Sequence, residues 1–165
     1  MGFQLMQVHP NVARVRRGRA ARAAAVPVVY KLGRGGFDPT AFYPWQSDRC
    51  CDCSGFAAWL MGLDRSPKPS RNWWIETTAV YNDATGKQTT FVRCDVQPGA
   101  LLVYPDGQWG QGHIALVTEL RDGEPWGYDC SSGSYRRTGN AIRLRSLRFM
   151  LRAKAVAVCL RQDLS

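Results

Sequence analysis

Three cysteines fall within four positions, Cys50, Cys51 and Cys53, at the start of RCCDCSGFAAWLMGLDR, residues 49–65. A cysteine can attack a carbonyl, bind a metal or form a disulfide, and its surroundings decide which. Phe56, Leu60 and Leu63 recur at helical spacing, which predicts a helix over 53–63, ended by Asp64 and the prolines at 67 and 69. Asp52 is a good N-cap type, so Cys53 begins that helix while Cys50 and Cys51 precede it in a loop. The positive end of a helix favours a thiolate, and its free N–H groups can hold an oxyanion. Cys53 is therefore the candidate nucleophile.

A cysteine nucleophile needs a base, and the chain has two histidines, His9 and His113. His9 sits in a segment that reads as loose. His113 opens an alternating stretch after a glycine-rich loop, and a base must be fixed in place, so His113 is the better candidate. It needs an orienting partner in turn. Asp129 lies one meander step away, with Asn140 and Glu119 as substitutes, and strand parity alone does not decide which of them faces the ring. Taken singly, each residue has a plainer use: a small buried thiol, a polar strand end, a turn cap. Taken together, and in this order, they favour catalysis.

Zinc is the weaker reading. Structural zinc sites use well-spaced cysteine pairs, whereas CCDC is crowded and Cys94, Cys130 and Cys159 are scattered singly. A site from Cys50, Cys53, Cys94 and Cys130 stays open without anything pointing to it, so neither a metal nor a cofactor is expected. Six cysteines in 165 residues are also too few for a disulfide scaffold.

The elements that must position these residues follow. VPVVYKLGRGGFDP, residues 26–39, reads as a short extended piece and then a glycine loop. Residues 64–98 read as loop-rich, with RNWWIETTAVYND in the middle. Strands are expected at 100–104, 112–120 and 126–131, as an antiparallel meander, with a closing strand at 155–160. A helix, a long loop and then a sheet make an α+β chain rather than an alternating βαβ one. Residues 1–25 read as a basic extension, with five arginines from Arg14 to Arg22 on a helix with a solvated face, ahead of a single catalytic domain over 26–165.

Composition bounds the partners. Hydrophobic residues at 45% and charged residues at 21% fit one globular core. Eighteen arginines, four lysines and a net charge of +9 favour a polyanionic partner. No nucleic-acid motif accompanies the arginines, so nucleic acid ranks last and is not expected. No run reaches the ~18 apolar residues of a membrane span, and no secretion signal is visible, so another agent must deliver the chain to a substrate outside the cytoplasm.

The motifs have a family likeness. DCSGF at 52–56 followed by GHIALV at 112–117 resembles the NlpC/P60 superfamily of cell-wall cysteine peptidases. VVYKLGRGG at 28–36 resembles that family's Y-x-x-G-G segment, and QPGALLVY at 97–104 resembles its P-G-D-[LV] strand. The likeness spans about residues 20–131. It implies a papain-like α+β fold and cleavage of an amide bond in the stem peptide of peptidoglycan. Cys53 would be the nucleophile, His113 the base and Asp129 the third polar residue, with Tyr30, Asp52 and Ser54 binding substrate. Ala100 replaces the family's Asp, the glycine loop is altered, and WWIETT within 64–96 has no assigned family role. Small members lacking a signal resemble phage products, which implies a virion-associated or lysis-released protein with tail-protein contacts. An inactive tail or wall-binding relative, or a thiol acyltransferase, would share the same scaffold.

Overall fold

The computed structural model describes residues 6–69, 71–107 and 109–162. Its helices are α1 (Pro10–Ala24), α2 (Cys53–Leu60), α3 (Thr77–Thr85) and α4 (Ser132–Thr138). Its strands are β1 (Val29–Tyr30), β2 (Cys50–Cys51), β3 (Phe91–Arg93), β4 (Leu101–Tyr104), β5 (His113–Arg121), β6 (Glu124–Cys130), β7 (Ile142–Ser146) and β8 (Ala157–Arg161). Six of them form one sheet in the order β3-β8-β4-β5-β6-β7, with every neighbouring pair antiparallel. The architecture is α+β. No described helix is long and apolar enough to cross a membrane.

The centre of the sheet is buried on both faces, which is why β4 and β5 read as near-continuous apolar runs. Leu101, Val103, Ile114 and Leu116 pack with Phe56, Ala57 and Leu60 of α2. On the opposite face, Leu102, Ala115 and Val117 are covered by Leu147, Met150 and Ala153, which flank or belong to a 3-10 turn at Arg148–Arg152. The β5–β6 hairpin turns at Asp122 and Gly123, whose φ angles of 50° and 78° give the double left-handed turn that suits two twisted strands.

The structure differs from expectation in four places. α2 ends a turn early because Gly62, at φ +66°, breaks it. The stretch over 64–98 contains α3, whose first turn is capped by Glu76 accepting from the N–H groups of Thr78 and Ala79, and also β3. The last expected strand is β8, and it lies inside the sheet, between β3 and β4. Finally, the basic helix keeps a solvated face, with Arg14 and Arg17 exposed, but its other side is seated on the body. Ala20 and Ala23 are fully buried, and Arg16, 3% exposed, donates from Nη1 to the Gly99 carbonyl at 2.7 Å. Arg19 lies 4.1 Å from the centre of the Trp59 ring, and Arg22 lies 3.9 Å from that of Phe42.

Two local features set the stage for the site. β1 and β2 pair in parallel, with Tyr30 opposite Cys51, so Tyr30 is carried to the start of α2. The glycine loop packs backbone on backbone against the first turn of α2. A Cβ added at Gly36 would sit 2.4 Å from the Gly55 carbonyl oxygen, and one at Gly55 would sit 2.5 Å from that of Arg34. No side chain fits there, which accounts for glycine in both GRGG and DCSGF.

Candidate active site

Cys53 is the first residue of α2 and is 5% exposed. Asp52 caps the helix in extended conformation, its Oδ1 accepting from the Gly55 N–H at 2.7 Å. Its Oδ2 accepts from the Gly33 N–H at 2.7 Å, which ties the glycine loop to the nucleophile turn. Arg65 closes the arrangement from below. Its Nη1 and Nη2 each lie 2.8 Å from one Asp52 oxygen, as a two-pronged pair with both side chains almost fully buried. The same guanidinium donates to Ser54 Oγ at 2.8 Å and to the carbonyls of Arg34 at 3.0 Å and Ile75 at 3.2 Å. The N–H groups of Gly55 and Phe56 are used by Asp52, and the helix gives those of Cys53 and Ser54 no partner of its own. These two are free to point at a developing oxyanion.

His113 opens β5 across the cleft. Its Nε2–H donates to Asp129 Oδ2 at 2.8 Å, which leaves Nδ1 to face the nearby Cys53 sulfur. Burial disfavours the imidazolium, but the hydrogen bond to Asp129 and the proximity of Cys53 outweigh it and raise the pKa to about 10. The arrangement thus favours a protonated ring beside the thiol. Asp129 is fully buried, and its other oxygen, Oδ1, has no hydrogen-bond partner among the described residues. Arg145 Nη1 stands 3.7 Å from Oδ2 and stacks 4.4 Å from the centre of the Phe149 ring.

A bulge aims Asp129. The β5–β6 register shifts between Val117 and Glu119, so Asp129 lies opposite Ala115, diagonal to His113 on the same face. Without that shift, the regular pairing from the turn would set Asp129 opposite Leu116, facing α2. The other partners considered for His113 are engaged elsewhere: Asn140 bonds to Ala24 and Val28, and Glu119 pairs with Arg121. His9 caps α1, its Nδ1 accepting from Asn11.

Tyr30, Asp52 and Ser54 all line a cavity of about 210 Å³ beside Cys53. Burial, followed by the proximity of Cys53, Asp52 and Cys130, pushes the pKa of the Tyr30 hydroxyl up, so it remains a donor. The opposite wall comes from residues that sequence patterns left unassigned: Trp74, Glu76 and Thr77 from WWIETT, with Asp106 and Gln111 from the loop before β5. Arg65 was likewise missed; a single arginine in a Pro- and Ser-rich loop carries no local signal. The remaining cysteines are buried and free. Burial pushes the thiols of Cys94, Cys130 and Cys159 up, which holds them protonated. Cys94 belongs to a different apolar cluster from Cys53 and Cys130, so the four-cysteine metal set is not assembled. No protein-family model matches the chain, and no curated protein is significantly similar to it.

Proposed function

We propose that the protein is a thiol hydrolase that cleaves an amide bond in the stem peptide of peptidoglycan, on a papain-like scaffold of the NlpC/P60 kind. The reading is carried by one observation: a cysteine at a helix start stands beside a histidine held by a buried aspartate. The Cys53 thiolate attacks the amide carbonyl, and the N–H groups of Cys53 and Ser54, with the Tyr30 hydroxyl, face the oxyanion. His113 gives its proton to the departing amine, then takes one from water as the acyl group leaves the sulfur. Asp129 holds the ring in register and stabilises its cation. The choice of a wall peptide rests on the likeness of DCSGF and GHIALV described above. Asp52 lines the cleft with both oxygens already engaged by Arg65, Gly33 and Gly55. It therefore orders the site and offers little to a substrate amine.

Purified muropeptides incubated with the wild-type chain and with Cys53→Ala, and analysed by mass spectrometry, test this. New amine and carboxyl termini are expected from the wild type alone. No products from the wild type would remove peptidoglycan as substrate, and equal products from both would remove the thiol mechanism.

A further inference from the structure

The arginines of this chain fall into two populations. Six arginines of the first half work inside the molecule: Arg16, Arg19, Arg22, Arg34, Arg65 and Arg71 each hold a carbonyl, a ring or a carboxylate, whereas Arg14, Arg17 and Arg49 are exposed. The second population is concentrated late in the chain. Residues 131–162 contain seven arginines, one lysine and no Asp or Glu, so that segment carries +8 of the net +9. Arg136 and Arg137 end α4, Arg143 and Arg145 lie on β7, and Arg148 and Arg152 bound the 3-10 turn. β7 is an edge strand, and all of these except Arg145 are exposed. Among the described residues, none of those five forms an ion pair or a side-chain hydrogen bond.

We propose that this edge is a docking surface for a phosphodiester-linked anionic polymer of the cell wall, leading into the catalytic cleft. The proposal rests on the wall-hydrolase reading for the polymer's source. Like charges concentrated on the edge strand and on the elements that flank it, α4 on one face of the sheet and the 3-10 turn on the other, repel one another and oppose folding, and a solvated surface intersperses both signs. Arginine rather than lysine predominates, and its planar fork matches phosphate oxygens two at a time. The edge is continuous with the site, because Arg145 is 3.7 Å from the carboxylate that holds His113. Nucleic acid fits less well: single strands need exposed rings for stacking, and the aromatic residues here, Tyr135 and Phe149, are partly buried against the core. A bilayer fits less well too, since the exposed apolar residues of the segment are only Leu144 and Leu151.

The test uses the full chain carrying Cys53→Ala, so that bound walls are not digested. Sedimentation measures binding to isolated walls, to the same walls stripped of phosphodiester polymer by hydrofluoric acid, to anionic vesicles and to duplex DNA. Binding to intact walls is expected to fall about tenfold on stripping, and about tenfold in the R136E/R143E/R148E/R152E variant, and to weaken steadily with added salt. With Cys53 restored, that variant should cleave a small soluble muropeptide within about twofold of wild type, because none of the four residues touches the site. A neutral variant, R136Q/R143Q/R148Q/R152Q, replaces it if thermal melting shows that charge reversal unfolds the chain. Equal binding to stripped and intact walls overturns the proposal, as does binding to vesicles or DNA as tight as to intact walls. Cleavage of stripped walls with no loss of binding would defeat the docking surface while leaving the hydrolase reading intact. The reverse pattern, tight polymer-dependent binding with no cleavage of any wall, would defeat the hydrolase and spare the surface.

Discussion

The two banks of the cleft are built differently. On the nucleophile bank, every oxygen of Asp52 is engaged, Arg65 reaches three chain segments, and two glycines press backbone on backbone. On the histidine bank, one carboxylate oxygen holds the ring, the other has no partner among the described residues, and an arginine leans in at 3.7 Å. The first bank is fixed by a saturated buried network, which is costly to disturb at any point. The second is held by few bonds at the end of a hairpin, which suits the ring proposed above to give a proton to the departing amine and then take one from water.

Substitutions can break this contrast. The largest effect is expected from Cys53→Ala, with kcat falling by about 10⁴-fold or more, read by muropeptide turnover. His113→Ala should follow at about 10³-fold and should also slow alkylation of Cys53 by iodoacetamide at neutral pH, because the cation beside the thiol is gone. If labelling is unchanged, the ring does not activate the sulfur.

The third effect is on stability. Arg65→Met leaves the Asp52 carboxylate buried without its cation and should cost about 3–5 kcal/mol in urea melts. Adding Asp52→Asn to it should recover part of that loss. A small cost for Arg65→Met would show that the nucleophile bank is no more rigid than the other.

Asp129→Asn tests the second bank, with turnover expected to fall about 10²-fold. It also has a pH signature. The folded pKa of His113, about 10, lies above its ordinary value of 6.5, so the protonated ring stabilises the fold. That contribution is fully present below about pH 6.5 and disappears as pH rises through about 10. Wild type should therefore lose stability across that window, and Asp129→Asn should lose less. A parallel decline in both would mean that Asp129 does not hold the cation. The smallest effect is expected from Tyr30→Phe, which removes one donor beside the oxyanion and should lower turnover about tenfold.

How far these banks could be read from the sequence differs in the same way. Cys53 was legible because capping is local: Asp52, the helix start and the thiol are neighbours in the chain. His113 was legible because the alternative histidine lies in a segment that reads as loose, although it caps α1 in the folded chain. The pairing of Asp129 with His113 was not decidable, since it depends on a bulge near Thr118 that reverses the parity of everything beyond it. Arg65 was out of reach for another reason, because its partners lie in three separate segments and meet only in the folded chain. Trp74, Glu76 and Thr77 were read as loop because the cap of α3 is a glutamate, an uncommon choice at that position. The α+β class followed from the order of patterns along the chain. The interior place of β8 did not, since strand order is set by long-range pairing.

That interior place bears on when the site comes into being. β4, which pairs with the histidine strand along one side, has β8 along the other. A chain emerging from the ribosome lays down Cys53 first, His113 later, and residues 157–161 later still. Until then β3 and β4 have no strand between them, and each presents an open edge. The sheet that aims the histidine is therefore completed by a distant, late contact, which makes assembly of the site slow and all-or-none. A nascent chain carries the thiol long before it carries the completed sheet.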